Sequence, residues 1–287
     1  MIHGIAFAFG AMVLYGLGDL VYKGAAQAGV RAHHFMMVQS WCYIVCVALY
    51  GVATGTLRFE PPVLWGAAAG LCAYTGFYNF ARSLHSGSVS VNATIFRMSF
   101  TITAALAVVL LDEPLTPYKL LGLTLALAAG WLLLGGSGGE RAATPRVTRA
   151  SLVRVAVATV AVAIAYLIYK IGLRAGATPA SLLTVQAVVV VSLSTGLVGI
   201  VDRQIRPTRL MLRYAGTAAV VLAGAFILLL EGLARGQASV LVPIAQMGFV
   251  VTAAVGFVFL KEPFTPRIGL GLVLALAALA SLAASAP

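Results

Sequence analysis

The chain has 287 residues, 61% of them hydrophobic and only 9% charged, with a mean hydropathy of +1.00 and a net charge of +11. Soluble domains carry about 25% charged residues, so this composition excludes a water-soluble globular protein and points to a polytopic membrane protein. The positive charge is not the footprint of a nucleic-acid binder, because the arginines cluster at the ends of apolar runs, where cations anchor a helix at the membrane interface.

Taken in order, the apolar runs predict ten spans, at about 4–24, 34–54, 63–84, 88–111, 117–136, 152–173, 178–200, 211–233, 237–260 and 267–285. Their lengths match the roughly 20 residues that a helix needs to cross a bilayer. They are too long and too uniformly apolar for the alternating strands of a barrel. The first run, MIHGIAFAFGAMVLYGLGDL, has neither a basic leader nor a clear cleavage site and reads as an uncleaved span. Cys42, Cys46 and Cys72 lie in apolar runs without histidines at ligand spacing, so neither a disulfide framework nor a metal site is expected. A polar linker at 137–150 separates the two halves, expected at 1–136 and 151–287. Its glycines are not followed by GK[ST], which argues against a nucleotide loop. No cofactor is expected.

The halves are copies of one unit. Residues 87–117, GSVSVNATIFRMSFTITAALAVVLLDEPLTP, align without a gap on residues 236–266, GQASVLVPIAQMGFVVTAAVGFVFLKEPFTP, and 15 of the 31 positions are identical. LGLTLAL at 121–127 continues the match with LGLVLAL at 270–276, and VYK at 21–23 echoes IYK at 168–170. Such a repeat decides the architecture before any element is placed. Five spans per unit make the second copy run upside down relative to the first. The expected fold is therefore all-α, with ten transmembrane helices as two inverted five-helix repeats around a central cavity, a recurring transporter plan.

Ionisable residues at membrane depth are costly and tend to face the bundle interior. Span one carries Tyr15, Asp19, Tyr22 and Lys23 on one face; Asp19 and Lys23 also suit a simple ion pair along the helix. The counterpart of Asp19 in span six is Tyr166. Span three presents Tyr74, Tyr78, Arg82 and His85 on one face, a binding wall or an aromatic packing stripe. Span four has two polar stripes, Asn92, Phe96, Ser99 and Thr103 on one side and Ser90, Thr94, Arg97 and Thr101 on the other. It is expected to sit centrally. Arg97 is the deepest cation of the first half, and its repeat counterpart is the neutral Gln246. Span eight ends near Glu231. In span nine Pro243 removes a backbone hydrogen bond and is expected to bend the helix as a gate. Glu113 and Glu262, beside their prolines, read as turn and capping residues.

Counting Lys and Arg by loop puts Lys23, Arg31, Arg82, Arg141, Arg146, Arg149, Arg154, Arg203, Arg206, Arg209, Arg213, Lys261 and Arg267 on one side, and Arg58, Lys119, Lys170, Arg174 and Arg235 on the other. The first set should be cytoplasmic, with both termini outside.

The paired Glu-Pro-x-Thr-Pro turns and the five-plus-five repeat resemble the EamA-type branch of the drug/metabolite transporter superfamily over the whole chain. Within that branch the chain looks most like the bacterial aromatic amino acid exporters. The resemblance implies ten helices with spans three, four, eight and nine around a cavity, an inner-membrane location and, against the charge count, cytoplasmic termini. The first copy has Asn92 and Thr94 where the second has Leu241 and Pro243, a departure from half-to-half symmetry. The expected function is a secondary exporter or facilitator of aromatic and large neutral amino acids, working as a monomer. A zwitterion needs a donor for its carboxylate, expected from Arg97, Asn92 or Gln246, and acceptors for its ammonium, expected from Asp19 and Glu231. Tyr74, Tyr78, Phe96 and Phe100 offer aromatic surface, with Ser99 and Tyr166 in the same lining. The alternatives are an exporter of another metabolite or drug, or a membrane scaffold or sensor that moves nothing. No HExxH, GxSxG or paired catalytic carboxylates favour an enzyme.

Overall fold

The structure, a computed structural model, describes residues 2–86, 89–134, 148–201, 208–259 and 265–285. Most of the 137–150 linker and Glu262 lie outside the described residues, as do the side chains of His85, Ser90 and Thr94. The first half comprises α1 (Ile2–Gln27), α2 (Ala32–Ala53), α3 (Leu64–Ser86), α4 (Val89–Arg97), α5 (Ser99–Leu110) and α6 (Pro117–Leu134). The second comprises α7 (Arg149–Arg174), α8 (Pro179–Val201), α9 (Arg209–Arg235), α10 (Ala238–Gln246), α11 (Gly248–Phe259) and α12 (Pro266–Ala284). Each helix of one half thus has a mate six places along. α4 with α5, and α10 with α11, each form one interrupted span, which gives ten spans in two inverted repeats.

The repeats are interlocked rather than laid side by side. α3 packs on α7 and its mate α9 packs on α1; α2 meets its own mate α8, and α6 meets α12. Small residues allow the close approaches. A Cβ on Gly70 would fall 2.9 Å from the Gln186 carbonyl oxygen, and one on Gly66 would strike the Leu182 carbonyl, so this GxxxG seats α3 directly on the α8 backbone.

The Thr-Pro of each repeated turn starts a helix. Thr265 is the N-cap of α12 and accepts a hydrogen bond from the Ile268 amide, with Pro266 in the first turn. Thr116 accepts from the Lys119 amide at 3.3 Å ahead of α6. A threonine cap followed by proline satisfies one free amide and removes another.

Both central spans break at the same place in the repeat. The Met98 amide bonds the Ile95 carbonyl at 3.0 Å, and the Met247 amide bonds the Ile244 carbonyl at 3.1 Å. These are i→i−3 turns, tighter than the α-helical pattern. The bend expected at Pro243 is therefore corrected: Pro243 lies inside α10, and the first copy breaks identically with Thr94 in the proline's place.

Candidate functional site

The two breaks bring four helix ends to the middle of the bundle. Arg97 is the last residue of α4 and Gln246 the last of α10. A cation suits the carbonyl-rich C-terminus of a half-helix. The Arg97 guanidinium donates to the Gln246 Oε1 at 3.3 Å, so the two repeat mates touch each other. Arg97 also forms an ion pair with Asp19 of α1, and the Gln246 amide donates to the Tyr166 hydroxyl of α7. Asp19 and Tyr166 are themselves mates. The result is one four-residue chain, Asp19–Arg97–Gln246–Tyr166, in which an ion pair of the first half faces a neutral pair of the second. The side chains of Arg97 and Asp19 remain 18% and 32% exposed, so the pair is reachable rather than sealed.

Asp19 thus has a partner 78 residues away, and protein, not solvent alone, compensates the mid-span charge of Arg97. Behind Tyr166 lies an aromatic cluster. Tyr15, Tyr43, Tyr166 and Tyr169 all surround Phe226, with ring centroids 5.7–6.5 Å from it.

Other expected site residues stand apart from this chain. The Asn92 side chain is 1% exposed and donates to the Ser83 carbonyl and the Ser151 hydroxyl, each at 2.8 Å; it ties α4 to α3 and α7 instead of facing a solute. Phe96 stacks on Phe80 at 4.1 Å, and Ser99 is buried with its carbonyl accepting from Thr103 at 3.0 Å. Tyr74 and Tyr78 stack on each other at 6.0 Å, and Tyr78 also accepts from Arg82 at 3.3 Å. Glu231 pairs with Arg235 along α9 and accepts from the Tyr50 hydroxyl at 2.7 Å. It belongs to the far end of the bundle, not to the ammonium site expected of it.

That far end is closed by side chains across the repeats. The carboxylate of Glu113, 4% exposed, accepts from the Ala238 and Ser239 amides at 2.8 Å and from the Ser239 hydroxyl, capping α10. Lys119, with no exposed surface, donates to the Pro114 carbonyl, the Gln237 side chain and the Ser239 hydroxyl. Lys170 donates to the Leu233 and Gly236 carbonyls at 2.6 Å, closing the C-terminus of α9. At this end all nine residues of α10 are buried. Its mate α4 leaves Val91 39% exposed, and the adjoining Met98 is 44% exposed.

Space lies toward the opposite end. A cleft of about 540 Å³ opens between α3 and α7, walled by Asn79, Arg149, Val153 and Arg154. A smaller crevice of about 250 Å³ lies beside the first break, between Arg97, Met98, Phe100, Phe249 and one face of α6. The family resemblance implied a lining from spans three, four, eight and nine. It missed α6 and Phe249; the alignment of Phe100 with Phe249 in the repeat was the available signal.

A likeness to other proteins follows the same plan. A crystal structure described only as that of a protein aligns with 97% of this chain and 95% of its own, with a TM-score of 0.82 and 16% identity, which shows the fold alone. No curated protein matches the sequence. The model of the EamA-like transporter family matches twice, at residues 2–135 and 150–284. Matched in both repeats, the chain belongs to the EamA-like transporter family, a family of multi-pass membrane transporters of small molecules.

Proposed function

We propose that the protein is a secondary exporter or facilitator of aromatic and large neutral amino acids across the bacterial inner membrane, working by alternating access. The observation that carries this reading is the Asp19–Arg97 pair in the middle of the broken spans. A zwitterion is the one small solute class that can replace both partners at once. Its carboxylate takes the place of Asp19 on Arg97, and its ammonium takes the place of Arg97 on Asp19. No net charge is added to the membrane interior, where an unpaired one costs at least about 2.5–3.5 kcal/mol. Gln246 and Tyr166 supply neutral hydrogen bonds beside the exchanged pair. Within the alternative of a drug exporter, a cationic drug fits poorly, because Arg149 and Arg154 wall the larger cleft and no acidic residue does.

The test is flux in reconstituted vesicles against protein-free vesicles, with a panel of amino acids and their amides, with and without a pH gradient. Arg97→Gln copies the repeat mate but takes the guanidinium away from Asp19, so it is paired with the double change Arg97→Gln/Asp19→Asn. A lost hydrogen bond to a charged group is worth about 1.5–3 kcal/mol. Free amino acids should accordingly lose at least about tenfold in transport in both variants, and amino amides less. Equal losses for acids and amides assign the pair to structure, and a panel with no amino acid flux rejects the substrate class.

A further inference from the structure

The residues around the crevice beside the first break differ from their mates in the second repeat, and one of them is a glycine opposite a leucine. Its α6 wall is Ala126, Leu127, Gly130, Trp131 and Leu134. By the 149-residue register of the repeat, Gly130 corresponds to Leu279, Met98 to Met247 and Trp131 to Ala280. Leu279 is only 7% exposed and Met247 has no exposed surface, so in the second half the corresponding side chains are packed away where Met98 is exposed. Gly130 is buried, yet a Cβ added to it would meet nothing nearer than the Phe249 ring at 3.6 Å, an ordinary contact. The glycine is therefore not demanded by helix packing. A side chain at this position would take up part of the crevice it lines.

The shape and chemistry of that space are specific. Phe100 and Phe249, mates in the repeat and each 2% exposed, form its floor. Met98 and Trp131, 44% and 68% exposed, form its outer lip. Arg97 shares the wall and is the residue already paired with Asp19. An apolar cavity of about 150 Å³ accommodates benzene, so about 250 Å³ is enough for a substituted six-membered or fused aromatic ring.

We infer that this crevice is the side-chain subsite of the transporter, receiving the aromatic or large apolar side chain of a substrate whose charged end is held at Arg97 and Asp19. The inference rests on the proposed function and adds the selectivity determinant. A lipid acyl chain is the competing occupant of any crevice open to the membrane. It uses the apolar walls but has no use for a guanidinium paired to a carboxylate at their edge, whereas an amino acid uses both. Gly130 sets the size limit, Met98 and the two phenylalanines give an adaptable and an aromatic wall, and the break after Arg97 places the subsite next to the charged pair.

The experiment compares wild type, Gly130→Ala and Gly130→Leu in vesicles, reading phenylalanine and alanine uptake from the same preparations. Gly130→Leu copies Leu279 and fills the crevice. The phenylalanine-to-alanine uptake ratio should fall by at least about tenfold, the scale on which apolar pockets discriminate by size. Gly130→Ala, which adds only the contact at 3.6 Å, should give a smaller fall and serves if the leucine variant does not fold. An unchanged ratio overturns the subsite. If wild type carries no amino acid at all, the substrate class fails and the crevice is read separately. Indole should then raise the thermal stability of wild type and not of Gly130→Leu, and equal shifts overturn the subsite. Photolabelling by a diazirine fatty acid that Gly130→Leu abolishes and phenylalanine does not compete assigns the space to lipid, which also overturns it.

Discussion

Arg97 and Gln246 occupy one position in two copies of the same helix, and the difference between them sorts the hydrogen bonds at the centre by cost. Tyr166 accepts from Gln246, whereas the buried hydroxyl of Tyr169 has no protein partner. Removing one member of a buried hydrogen bond leaves the other unsatisfied, at about 1–3 kcal/mol, while removing a hydroxyl that has no partner leaves nothing behind. Tyr166→Phe should therefore lower the midpoint of thermal unfolding in detergent, and Tyr169→Phe should leave it unchanged or raise it. Equal losses for the two substitutions would contradict this division. Arg97, Gln246, Asp19 and Tyr166 were each legible in the sequence as polar residues in apolar spans, and the repeat register paired them as mates. What the sequence could not supply was which helices meet. Asp19 has Lys23 one turn away, and its partnership with a residue 78 positions distant is a product of tertiary packing. Asn92 shows the opposite error: a polar stripe looks the same whether it faces a solute or, as here, the Ser83 carbonyl and Ser151 hydroxyl of neighbouring helices.

Among elements, the interrupted spans and their caps divide the labour. The break needs only an i→i−3 turn at Met98 and Met247, so proline is neither required for it nor located at it. Proline is the strongest local signal for a bend, and for that reason the sequence pointed to Pro243, four residues early. Glu113 is different. Its position beside a proline marked a capping residue correctly, yet the helix it caps is α10 of the other repeat, not its own neighbour α6. The carboxylate satisfies two free amides at a helix N-terminus and stands in the favourable field of the helix dipole. Glu113→Ala should therefore cost about 1.5–3 kcal/mol from the lost charge-assisted bonds and loosen the closed end. The readout is a cysteine at Ala238, which is fully buried. It should resist a maleimide in the presence of Glu113 and react once Glu113 is replaced by alanine. Protection in both backgrounds would mean that packing of α10, not the cap, holds this end shut. The repeat does not copy the whole device, since Lys119 corresponds to Ile268.

For the whole molecule, the inverted repeat sends five of the nine connections to one end of the bundle and four to the other, and the charges divide with them. Lys23, Arg31, Arg82, Arg149, Arg154, Arg209, Arg213 and Arg267 gather at the end where α1 finishes and α7 begins. By sequence the connections at that end also carry Glu140, Asp202 and Glu262, but acidic residues contribute little to the bias. The other end carries fewer cations, Arg58, Lys119, Lys170, Arg174 and Arg235, beside Glu60, Asp112, Glu113 and Glu231, and several of them are tied to each other or to helix ends. The duplication was plain in the sequence because an ungapped match survives divergence of side chains. The handedness of insertion is a separate quantity, set by which end resists translocation, and lysines and arginines near the spans resist it most. The α1-terminal end should thus be cytoplasmic and the Glu113 end outside, opposite to the orientation that the family resemblance implies. In a background with Cys42, Cys46 and Cys72 replaced, a cysteine at Thr56, beyond α2, should react with an impermeant maleimide on intact cells. One at Ala28, before α2, should react only after the cells are opened. The reverse pattern would restore cytoplasmic termini and show that conserved topology outweighs the charge bias. Labelling of both positions from the same side would break the alternation of spans on which the inverted repeat depends.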